Sequence, residues 1–304
     1  VVLMRHSRIA VKVLEGEEPV FYDPVYHGRT LKVFGMDDYP VRFLSYVIGE
    51  YRKLNYSAVV FDTTGEVEGD FDEVIEVRDG ASLGLDPIKL YKAGYFDPYT
   101  AVTIVQTLYG LDRALTDRLY VDVLLGKVSS VPEAVKRKEK YSEVILESYT
   151  PLDEVFYSGE VPKLEGSVRV NLGETRSITL VGIAFLILAA AFEKRRETVV
   201  GLVDGAVLGY TTAGSAGIPL LTKPLKHRVT VIASQYALDS LLNIAGPTLL
   251  LYHDPDVQSL VYETSGVPPG PTRKFVGKRA GTLITRSPES VDVLHGGLPE
   301  GVLR

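Results

Sequence analysis

The amino-acid sequence predicts an α/β fold, a mostly parallel sheet with helices on both faces and a helical insertion. Short apolar runs bounded by turn residues alternate with segments of helical periodicity, the order that builds parallel strands joined by right-handed crossovers. Runs such as 58–61, within the strand 57–61, and 199–203 are without polar residues rather than alternating, as strands covered on both faces are. From about residue 91 to 162 helical spacing persists without strand signals. The expected organisation is an N-terminal strand pair over 1–28, a core over 29–90 and 163–304, and a helical insertion over 91–162.

In chain order, residues 1–13 alternate apolar and polar side chains and end near Glu15, Gly16, Glu17 and Glu18, which reads as a strand and a turn. Residues 29–34 form a strand, and a tract 36–40 follows Gly35. Leu44, Val47, Ile48, Tyr51 and Leu54 then recur at helical spacing, and 57–61 is a buried strand ending on Asp62. Residues 62–79 carry eight carboxylates and one arginine, a hydrophilic loop that repels DNA unless a metal or a basic partner intervenes. Periodicity places helices over 97–125 and 132–149, where Lys136, Arg137, Lys138 and Lys140 read as a solvated face. Strand 167–172, the apolar helix 178–192, strands 198–203 and 228–233, helix 237–243 and strand 248–252 continue the alternation. A Pro- and Gly-rich loop, 265–271, precedes a last strand, 281–286.

Composition narrows the classes. A chain of 304 residues with 45% apolar and 24% charged side chains is globular and excludes disordered, collagenous and coiled-coil proteins. With 33 basic against 39 acidic residues the net charge is −6, so any nucleic-acid contact has to be a local patch. Cysteine is absent, which removes disulfides, thiolate zinc sites and cysteine nucleophiles together. Three Asn, three Gln and two Met suit a thermophile. The most apolar run, 178–192, has fifteen residues where a bilayer crossing needs roughly 20, and reads as a buried helix. No basic segment followed by an apolar one opens the chain, so the expected location is the cytoplasm.

A strand, a turn opening on Gly35 and a helix form the architecture of a phosphate-binding loop, where backbone N–H groups and a helix N-terminus face the anion. The side chains depart from that chemistry. Against GxxxxGK[ST] the chain reads Gly35, Met36, Asp37, Asp38, Tyr39, Pro40, Val41, Arg42. Pro40 removes an N–H, Val41 replaces the lysine that reaches the β/γ-phosphates, and Arg42 replaces the hydroxyl that holds Mg²⁺. Asp37 and Asp38 add like charge, which at about 4 Å from a phosphate costs about 4 kcal/mol at an effective dielectric near 20. The turn is expected to reject triphosphate unless Arg42 or a metal compensates. Asp204, closing strand 198–203, suits a Mg²⁺-organising aspartate or a strand-end turn residue; Gly205 follows it, where a carboxylate would polarise the attacking water.

The segment Asp62, Thr63, Thr64, Gly65, Glu66 resembles the D-x-x-G-E segment of the HerA/FtsK superfamily of hexameric DNA-translocating ATPases, which includes archaeal HerA and the conjugation ATPases. Other pieces resemble that family in matching order. Asp86-Pro87 resembles its N-P turn, 167–172 the strand ahead of its long helix, 199–204 its Walker B strand, and Val231, Ile232, Ala233, Ser234, Gln235 its strand ending in a polar T/S-Q pair. Residues 248–252 with His253, Asp254, Pro255 and Asp256 resemble the end of its core. The likeness runs from about residue 29 to the C-terminus. It implies a RecA-like P-loop NTPase core, a γ-phosphate-sensing position at Gln235, and a ring with nucleotide between subunits. The departures at Val41, Arg42 and Gly205 imply a kept fold without catalysis, hence no catalytic residue and no cofactor, with ATP and Mg²⁺ as the alternative.

Other patterns carry less. His6, His27, His227, His253 and His295 show no HxH or HExxH spacing, and no metal site is expected; His253 with Asp254 and Asp256 reads as a cation site or a solvated turn. Residues 209–217, with Thr211, Thr212 and Ser215, read as an anion cradle or a flexible loop. Asp62, Glu66, Asp70 and Asp72 invite a two-metal nuclease reading, although they share one contiguous loop. Lys223, Lys226, His227 and Arg228 form one basic cluster and Arg273, Lys274, Lys278 and Arg279 another, which read as DNA-phosphate contacts or as solvated surface. The resulting expectation is a catalytically inactive HerA-like pseudo-ATPase, a structural or regulatory partner in DNA processing or transport, oligomeric by analogy and without a membrane span. The alternative is a working DNA-dependent NTPase in which Arg42 takes over the charge of the missing lysine.

Overall fold

The computed structural model describes residues 7–303; the first six residues of the expected opening strand, His6 included, lie outside the described residues. The chain divides into two compact units, Val1–Phe71 with Arg196–Ala206 and Thr222–Arg304, and Asp72–Arg195 with Val207–Leu221. The elements in chain order begin with β1 (Val11–Leu14), β2 (Val20–Tyr22), β3 (Thr30–Phe34), α1 (Tyr39–Lys53) and β4 (Ser57–Asp62). Next come β5 (Glu73–Glu76), α2 (Pro87–Lys92), α3 (Pro98–Tyr109), α4 (Arg113–Leu124), α5 (Val131–Lys136), α6 (Lys140–Leu146), α7 (Pro151–Tyr157), β6 (Val168–Asn171) and α8 (Ile178–Phe192). Then follow β7 (Thr198–Val203), α9 (Gly205–Leu208), α10 (Thr212–Thr222), β8 (Arg228–Ser234), α11 (Asp239–Leu242), β9 (Thr248–Leu250), α12 (Pro255–Thr264), β10 (Ala280–Arg286), β11 (Val291–Gly297) and α13 (Glu300–Leu303).

In the first unit the strands lie in the order β11-β10-β9-β3-β8-β7-β4. The five from β9 to β4 run parallel, and β10 and β11 add an antiparallel hairpin at the β9 edge. β3, β7 and β8 are buried at every residue; β7 is apolar after Thr198, whereas β3 buries Thr30 and Lys32 and β8 buries Arg228, Thr230 and Ser234 among their apolar residues. On one face Leu31, Val33, Val231, Ala233, Val199 and Val203 share a core with Val41, Leu44, Val47, Ile48 and Tyr51 of α1. The helix comes close because β7 carries Gly201 opposite it: a Cβ there would stand 2.9 Å from Leu44 Cδ2. The parallel strands end on one edge, and that edge presents Gly35, Asp62, Asp204 and Gln235. β1 and β2 form an antiparallel hairpin, tied at Glu15 to Gly297 of β11.

In the second unit β5 and β6 pair in parallel. The helices α2, α3, α4, α5 and α7 each start on a side chain that accepts a first-turn N–H, from Asp86, Asp97, Asp112, Ser130 and Thr150 respectively. Four of the five also carry Pro in the first turn, so cap and proline together divide this stretch into short helices. α8 begins on Ser177 and is buried from Leu180 to Ala190. No helix among the described residues is long and apolar enough to cross a membrane.

Several elements differ from the sequence reading: the helices read over 97–125 and 132–149 are each divided in two, and α12 follows the acidic turn at Asp254. β5 lies inside the stretch read as an acidic loop, β11 follows the strand read as the last, and residues 212–217, read as a loop or cradle, are the start of α10. In that helix Thr211 Oγ1 accepts Gly214 N–H at 3.0 Å and Ser215 Oγ donates to Gly209 O at 2.8 Å, so these hydroxyls serve the helix and not an anion.

Candidate nucleotide-loop site

Between the end of β3 and the start of α1 stand only Gly35, Met36, Asp37 and Asp38. Three N–H groups around the turn are engaged within the chain, and a fourth position has none. Gly35 N donates to Ser234 O at 3.3 Å, Met36 N to Tyr252 O at 2.7 Å, and Arg42 N to Asp38 O at 2.9 Å, while Pro40 has no N–H. A Cβ on Gly35 would meet Leu251 Cβ at 2.9 Å, so glycine here permits close packing between strand ends. Asp37 turns the chain in the left-handed region at φ 57°, which Asp tolerates better than most residues. Val41 is buried in the core below the turn. Arg42 Nε is held 2.7 Å from Asp38 Oδ2. The space beside the turn, about 450 Å³, is lined by Asp38, Glu66 and Glu68 against the single arginine Arg42. Three carboxylates against one arginine make this space unfavourable for a bare phosphate, and neither Val41 nor Arg42 takes the place of a P-loop lysine there.

Asp62 is fully buried. Its Oδ1 accepts from Thr64 N at 3.1 Å, Thr64 Oγ1 at 2.8 Å and Gly65 N at 2.9 Å, and its Oδ2 from Val67 N at 3.0 Å, so the carboxylate folds its own turn. Asp204 follows β7 with φ 48°. Its Oδ1 accepts from Gln235 N at 3.1 Å and Ser234 Oγ at 3.3 Å. Burial pushes the Asp204 carboxyl above the usual carboxylate range, and the Asp62 charge adds to the effect. Gly205 opens α9, and a Cβ there would make ordinary contacts only, the nearest being Leu241 Cδ2 at 3.5 Å. Gln235 keeps its side chain exposed while its carbonyl accepts from His253 Nε2 at 2.9 Å. Because Asp254 N–H donates to His253 Nδ1 at 2.7 Å, the ring proton sits on Nε2 and both nitrogens are engaged. The structure thus brings Asp62, Asp204 and Gln235 to the strand-end edge that carries Gly35, in backbone-supporting roles.

Of the remaining acids, Glu66 is exposed, Asp70 offers its carbonyl to Arg52, and Asp72 Oδ2 accepts Ser167 N–H at 2.6 Å. Among the described residues no group of three His, Asp or Glu side chains is placed to hold a metal.

The two basic clusters lie at opposite edges of the sheet. Lys223 and Lys226 are exposed just ahead of β8, where the parallel strands begin, whereas Lys274, Lys278 and Arg279 are exposed ahead of β10, on the edge of Gly35. Arg228 is corrected as a DNA contact: it is only 1% exposed, and its Nη2 donates to Lys223 O at 2.8 Å. Arg273 likewise braces its own loop, with Nε 3.0 Å from Val267 O and Nη1 3.7 Å from Glu263. Lys278 Nζ stands 5.7 Å from the centre of the Tyr252 ring. Sequence reasoning missed Phe275, 70% exposed beside Lys274, and Lys32, buried in β3. A lysine at the centre of a strand read as core was the available signal for Lys32.

No family model matches the chain, and no curated protein matches it. Among solved structures, VirB4 of Thermoanaerobacter pseudethanolicus aligns with a TM-score of 0.66 at 9% identity, over 95% of this chain and 96% of that one. The genome packaging NTPase B204 from Sulfolobus turreted icosahedral virus 2, in complex with sulfate, aligns at 0.41 with 8% identity over 88% and 96%. The bacterial conjugative coupling protein TrwB aligns at 0.46 with 10% identity over 94% and 81%. The likeness to VirB4 corrects the expectation that no cofactor is involved, because a P-loop NTPase fold is one built around nucleotide and Mg²⁺. The chain therefore shares the fold of VirB4, a mixed α/β fold with a large, mostly parallel central sheet that matches a RecA-like P-loop NTPase core.

Proposed function

We propose that the chain is a catalytically inactive HerA-like protein that serves as a structural or regulatory partner in DNA processing or transport. One observation carries the reading: Arg42 is closed on Asp38 at 2.7 Å while Val41 is buried in the core, so neither residue reaches out as the missing phosphate-gripping lysine would. The strand-end Asp204 accepts from two neighbours, and Gly205 offers no base for a water. In this reading nucleotide is a ligand and not a substrate.

The setting in DNA handling is supported by the resemblance of the D-x-x-G-E and S-Q segments to DNA-translocating ATPases, together with the fold shared with VirB4. Lys274, Lys278 and Arg279 supply a local cationic strip for duplex phosphates, and a partner protein of a DNA-processing machine supplies the chemistry this chain lacks. Assembly into a ring and a cytoplasmic location belong to the same proposal.

Phosphate release measured with and without duplex DNA tests it, with Mg-ATP calorimetry recording binding separately from turnover. Release at background in both conditions is the expected result. DNA-stimulated release that disappears in Arg42→Ala would replace this reading by the working NTPase.

A further inference from the structure

Lys32 is the middle residue of β3 and is only 5% exposed. Its neighbours Leu31 and Val33 point into the core shared with α1, so strand alternation turns Lys32 to the opposite face. There its Nζ donates to Leu242 O at 2.8 Å and Ile244 O at 2.6 Å, the carbonyls at the end of α11. A structural cap explains those two bonds. It does not use the whole ammonium. An ammonium has three donors, and among the described residues the third has no acceptor and no carboxylate pairs with Nζ. Burial alone holds the Lys32 pKa down to about 8, the sign of a cation without a counter-charge.

The same ammonium lines a cavity of about 300 Å³ with His27, Thr248, Thr264, Ser265 and Arg286, and no carboxylate is in the lining. Arg286 ends β10 and is exposed, and its side chain makes no ion pair or hydrogen bond among the described residues. The register Lys32↔Thr248 and Thr248↔Ile284 places these groups toward the edge where the parallel strands begin, away from Gly35. In a chain of net charge −6, two cations and three hydroxyls around an acid-free cavity contrast with the carboxylate-lined space beside Gly35.

We infer that this cavity is a phosphate-accepting site, with Lys32 and Arg286 as its charged anchors and the hydroxyls of Thr248, Thr264 and Ser265 as further donors. An ammonium, a planar guanidinium fork and hydroxyls together match a tetrahedral oxyanion. The cavity holds the volume of about ten waters at about 30 Å³ each, enough for a phosphate with a small organic group attached. The class of ligand is therefore free phosphate or a small phosphate monoester.

The test is calorimetric titration of the whole chain, in chloride buffer, with inorganic phosphate and then with a nucleoside monophosphate. Saturable phosphate binding is expected, weakened at least tenfold in Arg286→Ala and lost in Lys32→Met, whereas Lys53→Ala, which removes an exposed charge elsewhere, leaves it unchanged. Displacement of phosphate by the monophosphate identifies an ester as the ligand; phosphate binding without displacement identifies free phosphate. No saturable binding, binding unaltered in Arg286→Ala, or binding retained by a folded Lys32→Met would overturn the site. Should Lys32→Met fail to fold, the exposed Arg286 position alone still decides.

Discussion

Arg42 Nε lies 2.7 Å from Asp38 Oδ2, so the arginine that stands where P-loop enzymes place a hydroxyl is closed on the carboxylate one turn before it. Both side chains are about half exposed, and a pair of this kind contributes roughly 0 to 1 kcal/mol. Arg42→Ala is therefore expected to shift unfolding stability by less than about 1 kcal/mol and to leave phosphate release at the background of the unmodified chain. Denaturant unfolding and a phosphate-release assay on the same preparation check both halves.

Gly201 allows α1 to lie against β7, with Leu44 Cδ2 only 2.9 Å from where a Cβ would be. Both partners are in the core, so the strain cannot be relieved toward solvent. Gly201→Ala should destabilise the chain by about 1 to 3 kcal/mol, as overpacking does, while leaving the strand-end residues Asp204 and Gln235 in place. A lowered midpoint with an unchanged denaturant slope is the expected outcome.

Lys32 gives a pH signature whose sign can be worked out. Its pKa is about 8 in the folded chain and 10.5 in its ordinary state, so between those values the unfolded chain binds more protons. Stability then rises with pH across that window; the cost of the buried charge is fully present below pH 8 and removed by 10.5. The whole effect is about 3 kcal/mol. Buried Tyr22 and Tyr51, whose pKa values are raised by burial, act oppositely at high pH, but equally in a variant. The stability of the unmodified chain relative to Lys32→Met, in phosphate-free buffer, should climb from pH 8 toward 10.

The physical basis of these predictions was unevenly legible in the sequence. β4 and β7 were readable because burial on both faces leaves an apolar run, and β3 and β8 because short, β-branched-rich segments are bounded by turn residues even with Lys32 and Arg228 inside them. β5 was hidden because Glu73 and Glu76 flank its two apolar residues, making it look like part of an acidic loop. α10 was hidden by Gly214, Gly217 and an internal Pro219, all of which argue for a loop in isolation. At the site, substitutions at Val41, Arg42 and Gly205 could be read directly. The engagement of Gly35 and Met36 N–H by Ser234 and Tyr252 could not, because it depends on strands far away in sequence. Arg228 shows the same limit: a basic residue beside two lysines looks like surface until the strand it opens turns it inward.

Asp62 is buried and accepts four hydrogen bonds that define the turn after β4. Asn has one acceptor oxygen, so Asp62→Asn sets an amide NH₂ against at least one N–H donor. The expected cost is about 2 to 3 kcal/mol, because charged acceptors in buried networks are costly to replace. Thermal unfolding measures it. A metal-dependent nuclease would instead show Mn²⁺-dependent DNA cleavage lost in a variant of unchanged stability.

Gly205→Glu separates the two defects of the nucleotide-loop site. The position has room, since a Cβ there meets nothing closer than 3.5 Å, and it opens α9, where a carboxylate is favourable at a helix N-terminus. Because Gly205 is buried beside Asp204 and near Asp62, the added carboxylate should cost roughly 1 to 3 kcal/mol and leave the variant folded, which denaturant unfolding checks. A restored carboxylate beside Asp204 supplies a group to polarise water, yet the turn at Gly35 still has its Gly35 and Met36 N–H groups on strand carbonyls, no N–H at Pro40, and Arg42 on Asp38. Grip on the γ-phosphate is upstream of polarising the water, so phosphate release should stay at background even with duplex DNA present. Turnover appearing in Gly205→Glu alone would show that the turn holds triphosphate well enough for chemistry, and would locate the whole loss of catalysis at residue 205.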